Sequence, residues 1–202
     1  MGAPWQPLLD WWFGSDPQAT AAEAAASQSR LWFGKRDSQD QEARKRFGEL
    51  VSKAMAGELS AWQAHPSGWL ATVLLLDQLP RMIFRDTPQA FAGDSQAQAL
   101  VETGLASGLD QQLAPLQRVF IYLVLEHAED PLAQARSVDL FAGLHTTAAA
   151  ADRAVFADYL DYAQRHQQVI ERFSRFPHRN GILGRASSAE EQAFLLEPGS
   201  RF

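Results

Sequence analysis

Along most of the chain apolar residues recur at the three-to-four-residue spacing of an amphipathic helix, and sustained period-two alternation is absent. Ser38, Gln39, Asp40 and Gln41 have the form of a capping box, followed by Ala43, Phe47, Leu50, Val51, Ala54 and Met55 on one face until Gly57. That spacing predicts a helix over 39–56. Ser67 is placed to cap a second, from Gly68 to Leu79, whose Trp69, Leu70, Val73, Leu74, Leu75 and Leu76 surround the axis and whose run ends at Pro80. A helix apolar on every side belongs at the centre of a fold. Asp94 is expected to open a helix to about Ser107, stopped by Gly108, and Pro115 to occupy the first position of another. Asp130-Pro131 starts the next, to about His145, and Asp152 the longest, to about Phe173. Ser188 to Glu191 form a second capping box before a short helix, and the Ala-rich stretch from Ala19 to Ala26 reads as helical.

Helices joined by short connections pack as antiparallel neighbours, which pairs 39–56 with 68–79, 95–107 with 115–128, and 131–145 with 152–174. The fold class is all-α, with stacked helical hairpins in a single domain spanning 1–202. The hairpin starts are irregularly spaced and no 34-residue consensus occurs, so the pattern shows a repeat-like, tetratricopeptide-like stack and not a regular array.

Composition then limits the chemistry. In 202 residues, 46% of them hydrophobic, there is enough apolar material for a substantial core without a metal or disulfide staple. With no Cys, thiol catalysis, thiolate zinc sites and disulfides are excluded. No apolar run reaches membrane-span length and the N-terminus has no export-signal pattern, so the expected location is cytoplasmic, with no membrane partner. A formal net charge of -6 argues against nucleic acid as a partner. Within this acidic chain, however, Arg172, Arg175, Arg179 and Arg185 cluster with His178 and no acid between them.

Three segments carry candidate chemistry. Asp77 ends the most apolar helix, and a buried carboxylate is costly unless paired, so Arg81 or Arg85 is its expected partner. The functional reading is a binding carboxylate; the bland one is an ion pair that pins the turn. Glu126 and His127 close the second strongly apolar helix and could work as acid and base, with His178 as a further catalytic candidate. Alternatively, His127 is a helix-end histidine, Glu129 is solvated and Asp130 caps the helix that follows. In the third segment, Arg175, His178, Arg179, Asn180 and Arg185 offer planar forks and neutral donors for a carboxylate or phosphate, with Gly181 and Gly184 permitting close backbone approach. Against this, the same Arg can serve to neutralise Asp77, Glu126 and Glu190. His166 faces inward on its helix; Trp11, Trp12, Phe13, Trp32 and Phe33 read as packing rather than a stacking platform. No Glu-x-x-His, His-Glu-x-x-His, Walker or nucleophile-elbow motif occurs, so no cofactor and no metal is expected.

Taken together, Leu9-Asp10-Trp11-Trp12-Phe13-Gly14, Asp77-Gln78-Leu79-Pro80-Arg81 with Phe84-Arg85 and Thr87-Pro88, Glu126-His127-Ala128-Glu129-Asp130, Arg175 to Asn180 and Leu183-Gly184-Arg185 resemble the bacterial domain-of-unknown-function family 924. The resemblance spans nearly the whole chain. It implies an all-α fold similar to tetratricopeptide-repeat proteins and no established activity. The chain departs from the family pattern at Met82, Asp86 and Ala128, where Asn, Gly and Ser are usual, and at Gln39, where an aromatic is usual.

Three functions compete on this reading. One is a binding module in which Asp77, Arg81, Arg85, His127, Arg175, His178, Arg179, Asn180 and Arg185 hold a small anionic ligand or a peptide carboxylate. Another is a hydrolase or transferase on phosphate or acyl groups using Glu126 and His127. The third is a polar cluster that only fixes the fold. Convergence of the three segments around one concavity is expected. Because no thiol or paired-His site exists, melting temperature should be unchanged by chelator; stoichiometric zinc, iron or manganese in chelator-purified protein would contradict this.

Overall fold

A computed structural model describes residues 2–16 and 18–200, and among them there are helices and turns but no strand. The helices are α1 (Gln6–Phe13), α2 (Ala21–Trp32), α3 (Asp37–Met55), α4 (Pro66–Leu76), α5 (Gln78–Ile83), α6 (Asp94–Ala106), α7 (Pro115–Glu126), α8 (Pro131–Thr147), α9 (Arg153–Phe173) and α10 (Ala189–Phe194). Short 3-10 turns at Ser60–Ala64, Pro88–Phe91, Leu109–Gln112 and Pro177–Arg179 join some of them.

Local signals explain several ends. Pro115 and Pro131 lie in the first turns of α7 and α8, the Asp130 carboxylate accepts from the Ala133 amide, and Ser188 and Glu191 form a reciprocal capping box on α10. Two expected starts are corrected. The residue before α3 is Arg36, and no side chain caps that helix, and α4 starts at Pro66 without help from Ser67. The start of α9 falls at Asp152 as expected, and the Asp152 carboxylate accepts from the Ala22 amide, tying that start to α2. Pro80 does not end a helix. The α-helical run breaks at Asp77, and Pro80 falls in the first turn of α5, where its missing N–H is not needed for an intrahelical bond. A reciprocal box at Thr20 and Glu23 that the sequence pattern did not single out opens α2.

Every residue of α4 from Gly68 to Leu76 is buried, as are Leu116 and the run from Val119 to Glu126 in α7. Trp12, Phe13 and Trp32 pack around the Phe120 ring with centroids 5.4, 5.4 and 4.8 Å away, and the Trp32 indole N–H donates to the Trp12 carbonyl. These rings are packing, as expected, although Phe33 at the end of α2 is exposed. The hairpin of α8 and α9 closes over α7, and α3 packs along α4 and α5. A smaller apolar group of Val169, Ile170 and Phe176, with Phe173 and Phe194, seats the segment after α9.

At two positions backbone comes too close for a side chain. A Cβ on Gly104 would lie 2.3 Å from Cζ2 of the buried Trp69 ring, and one on Gly93 would lie 2.2 Å from the Leu76 carbonyl. Gly93 therefore lets the start of α6 sit directly on the end of α4. Asp86 has φ +59 and so occupies the left-handed region that Asp tolerates better than most side chains. We expect Gly104→Ala to lower stability by about 1–3 kcal/mol through overpacking against Trp69. Unfolding in urea checks this; a variant as stable as the parent would show that Trp69 has room to move.

Candidate functional site

The site is built on the break between α4 and α5. Asp77, only 1% exposed, accepts from Nδ1 of His127 at 2.9 and 3.0 Å and from the Gln78 amide at 2.7 Å, and lies 3.0 Å from Nη1 of Arg81. Burial alone would raise this carboxyl; Arg81, with the hydrogen bonds from His127 and Gln78, overrides it and holds Asp77 far below the usual carboxylate range. Arg81 forks onto Asp94 at 2.9 and 3.0 Å, and Asp94 is brought there by the close approach of Gly93 to Leu76. Burial lowers the pKa of His127 despite Asp77, leaving a neutral imidazole whose Nδ1–H is fixed by the carboxylate.

The segment after α9 completes the cluster. Nη1 of Arg179 donates to the His127 carbonyl at 3.0 Å and lies 3.8 Å from Asp94. Its guanidinium lies against the faces of Phe91 and Phe176, 5.0 and 4.5 Å from the ring centroids. Burial, reinforced by Arg81, pushes its pKa down to about 10. Among the described residues its Nε, sealed from solvent, has no hydrogen-bond partner. Burial and the adjacent Arg179 push His178 down to about 3, so this imidazole too is neutral at pH 7.

The remaining candidates have fixed partners. Arg185 forks onto Glu129 at 2.6 and 2.9 Å and also donates to Asn180, while Glu129 accepts from the Phe176 amide. Asn180 donates in turn to Ser187. Arg175 forks onto Glu191 at 2.6 and 2.8 Å, and Arg85 forks onto Asp40 of α3, away from Asp77. Of the two expected partners for Asp77, therefore, Arg81 is the one that meets it.

Glu126 and His127 do not act on one another. Consecutive residues at a helix end point in different directions, so His127 meets Asp77 whereas Glu126 meets Nδ1 of His166 at 2.9 Å. His166 is inward-facing, as read, and also contacts the Tyr162 carbonyl at 2.9 Å. Asp94 and Glu129 were not anticipated as members: a carboxylate in the first turn of a helix reads as a dipole partner, and one at a helix end reads as solvated.

Asp77, His127, Arg81 and Arg179 thus come together, with Arg185 alongside through Glu129 and Phe176. The expected concavity is a different matter. Two surface depressions, of about 490 and 420 Å³, are lined in one case by residues of α1, α2 and α3 with Arg36, and in the other by residues of α3, of α5 and of the turn after it; of the candidates, Arg85 alone borders either. Among the described residues no group of three or more His, Asp or Glu is arranged to hold a metal ion, and no helix is long and apolar enough to cross a membrane.

Fold and site define an all-α protein whose helices close over a buried, largely charge-compensated polar cluster. The chain belongs to the family described as bacterial protein of unknown function, DUF924, whose model matches residues 8–199. It is also similar to the solved structure of a protein of unknown function from Agrobacterium tumefaciens, with 35% identity and a TM-score of 0.72 over 88% of this chain and 99% of the other. No curated protein matched it significantly.

The ionisation states set a pH dependence. His178 and His127 are neutral in the fold but take up a proton below about pH 6.5 when unfolded, and Asp77 stays ionised in the fold below its unfolded value. All three are depressed, so their contribution is complete above about pH 6.5 and is lost as pH falls. Melting temperature should drop by several degrees between pH 7 and pH 5, and His178→Asn should flatten that slope; a flat parental profile would overturn the assignment. Asp77→Asn should cost about 3–5 kcal/mol at pH 7, against less than about 1 for Glu42→Gln in the exposed pair with Arg46.

Proposed function

We propose that the cluster around Arg179 binds a small anionic ligand, through a carboxylate or phosphate group, including the carboxylate of a peptide. The observation that carries this reading is the contrast among the arginines. Arg81, Arg85, Arg175 and Arg185 each fork onto a carboxylate, whereas among the described residues buried Arg179 has one carbonyl acceptor, a distant share in Asp94 and an Nε–H with no acceptor. A buried donor without an acceptor is destabilising, and a guanidinium only partly compensated more so. An anion seated on Arg179 relieves both, and also the repulsion between Arg179 and Arg81. The Phe91 and Phe176 faces hold the guanidinium plane, and the neutral imidazoles beside it add hydrogen-bonding groups without charge. The location read from the sequence, the cytoplasm, suits a metabolite of this kind.

The test is thermal denaturation with inorganic phosphate, succinate and short peptides bearing a free C-terminus. At 100 times its Kd a ligand stabilises by about 2.7 kcal/mol, roughly 5–10 °C for a chain of this size. We expect such a shift with at least one of these anions and its loss in Arg179→Gln, with Arg179→Lys retaining part of it. No shift across the panel, or an equal shift in Arg179→Gln, would show that the cluster serves the fold alone.

A further inference from the structure

Resting on that reading, we infer that the ligand is a small zwitterion, whose carboxylate meets Arg179 and whose ammonium group meets Glu126. Glu126 is 2% exposed, and among the described residues its carboxylate is satisfied on one side only: Oε1 lies 2.9 Å from Nδ1 of His166, whereas Oε2, sealed from solvent, has no hydrogen-bond partner there. Among the described residues, His166 alone lies within ion-pair distance of it. It is thus the acceptor-side counterpart of the Arg179 Nε–H.

The two groups border the same set of rings. His166, held by Glu126, lies 5.5 Å from the Phe176 ring; the Arg179 guanidinium lies 4.5 Å from that ring, and His178 5.7 Å from it. Arg179 also donates to the carbonyl of His127, the residue next to Glu126 in the chain. A simple anion would satisfy the guanidinium and add a second negative group near the Glu126 carboxylate. A carboxylate that also bears an ammonium supplies the acceptor one group lacks and the donors the other lacks, while adding no net charge. Amino acids with one or more carbons between the two groups are the matching class, and the spacing preferred measures the separation of Arg179 from Glu126.

The experiment compares glycine, β-alanine and 4-aminobutyrate with propionate and propylamine by calorimetry and thermal shift on the full chain. At least one of the amino acids should bind about tenfold or more tightly than propionate, consistent with a charge-assisted hydrogen bond. Glu126→Gln should remove that preference, weakening the amino acids and strengthening propionate as the repulsion from the carboxylate goes, and the comparison in the unmodified protein stands even if this variant unfolds. Propionate binding as tightly as every amino acid tested would overturn the zwitterion and leave anion binding at Arg179 intact. If phosphate, succinate, peptides and these compounds all fail to bind, both readings fall.

Discussion

A single buried carboxylate organises the polar interior. Asp77 terminates a helix with no polar face, where its charge has no water to solvate it. Arg81 neutralises it from one turn further on, but a buried guanidinium has more donors than one carboxylate can satisfy, so Arg81 recruits Asp94. His127 is drawn in from the end of α7 as a neutral donor, and its carbonyl then positions Arg179. Each partner creates a need that the next one meets. The ends of α4, α6 and α7 and the segment after α9 are thereby locked to one another by charge as well as by packing.

The fold was largely legible because its dominant signals are local: helical periodicity, Pro in the first turns of α7 and α8, and the caps at Asp130 and Ser188. The break at Asp77 was not. A Pro after an apolar run looks the same whether it stops one helix or lies in the first turn of the next, and only the position of the break, at Asp77 rather than at Pro80, tells which. Of the candidate site, Asp77 with Arg81 could be read because the pair is one helical turn apart. The assignments of Asp94 to Arg81 and of Glu129 to Arg185 could not, since which carboxylate meets which guanidinium is decided by how distant helices dock. Glu126 and His127 misled for the opposite reason: neighbours in sequence, they diverge in space to Asp77 and His166.

The arginines show how structural and binding roles divide within one cluster. Forked pairs such as Arg185 with Glu129 and Arg175 with Glu191 hold the segment from Arg175 to Ser188 in place, the first gripping the end of α7 and the second the start of α10. Arg179 lies between those two clamps, gripped by rings rather than by a carboxylate. An under-compensated guanidinium persists in a folded chain only where its surroundings are fixed by other contacts, and the two clamps provide that.

The connectivity of the cluster bears on how the molecule comes to exist during synthesis. Asp77 and His127 are 50 residues apart, His127 and Arg179 are 52 apart, and Glu129 and Arg185 are 56 apart. Emerging from a ribosome, the chain presents Asp77 with its cation Arg81 close behind, but Glu129 well before its partner Arg185 exists. Until Arg185 arrives, solvation favours keeping the end of α7 open to water, although the apolar face behind it is already available to collapse. Contacts of such long range make folding slow. The Glu129 carboxylate therefore acts, on the growing chain, to delay closure of that end of the core until the segment that neutralises it has been made.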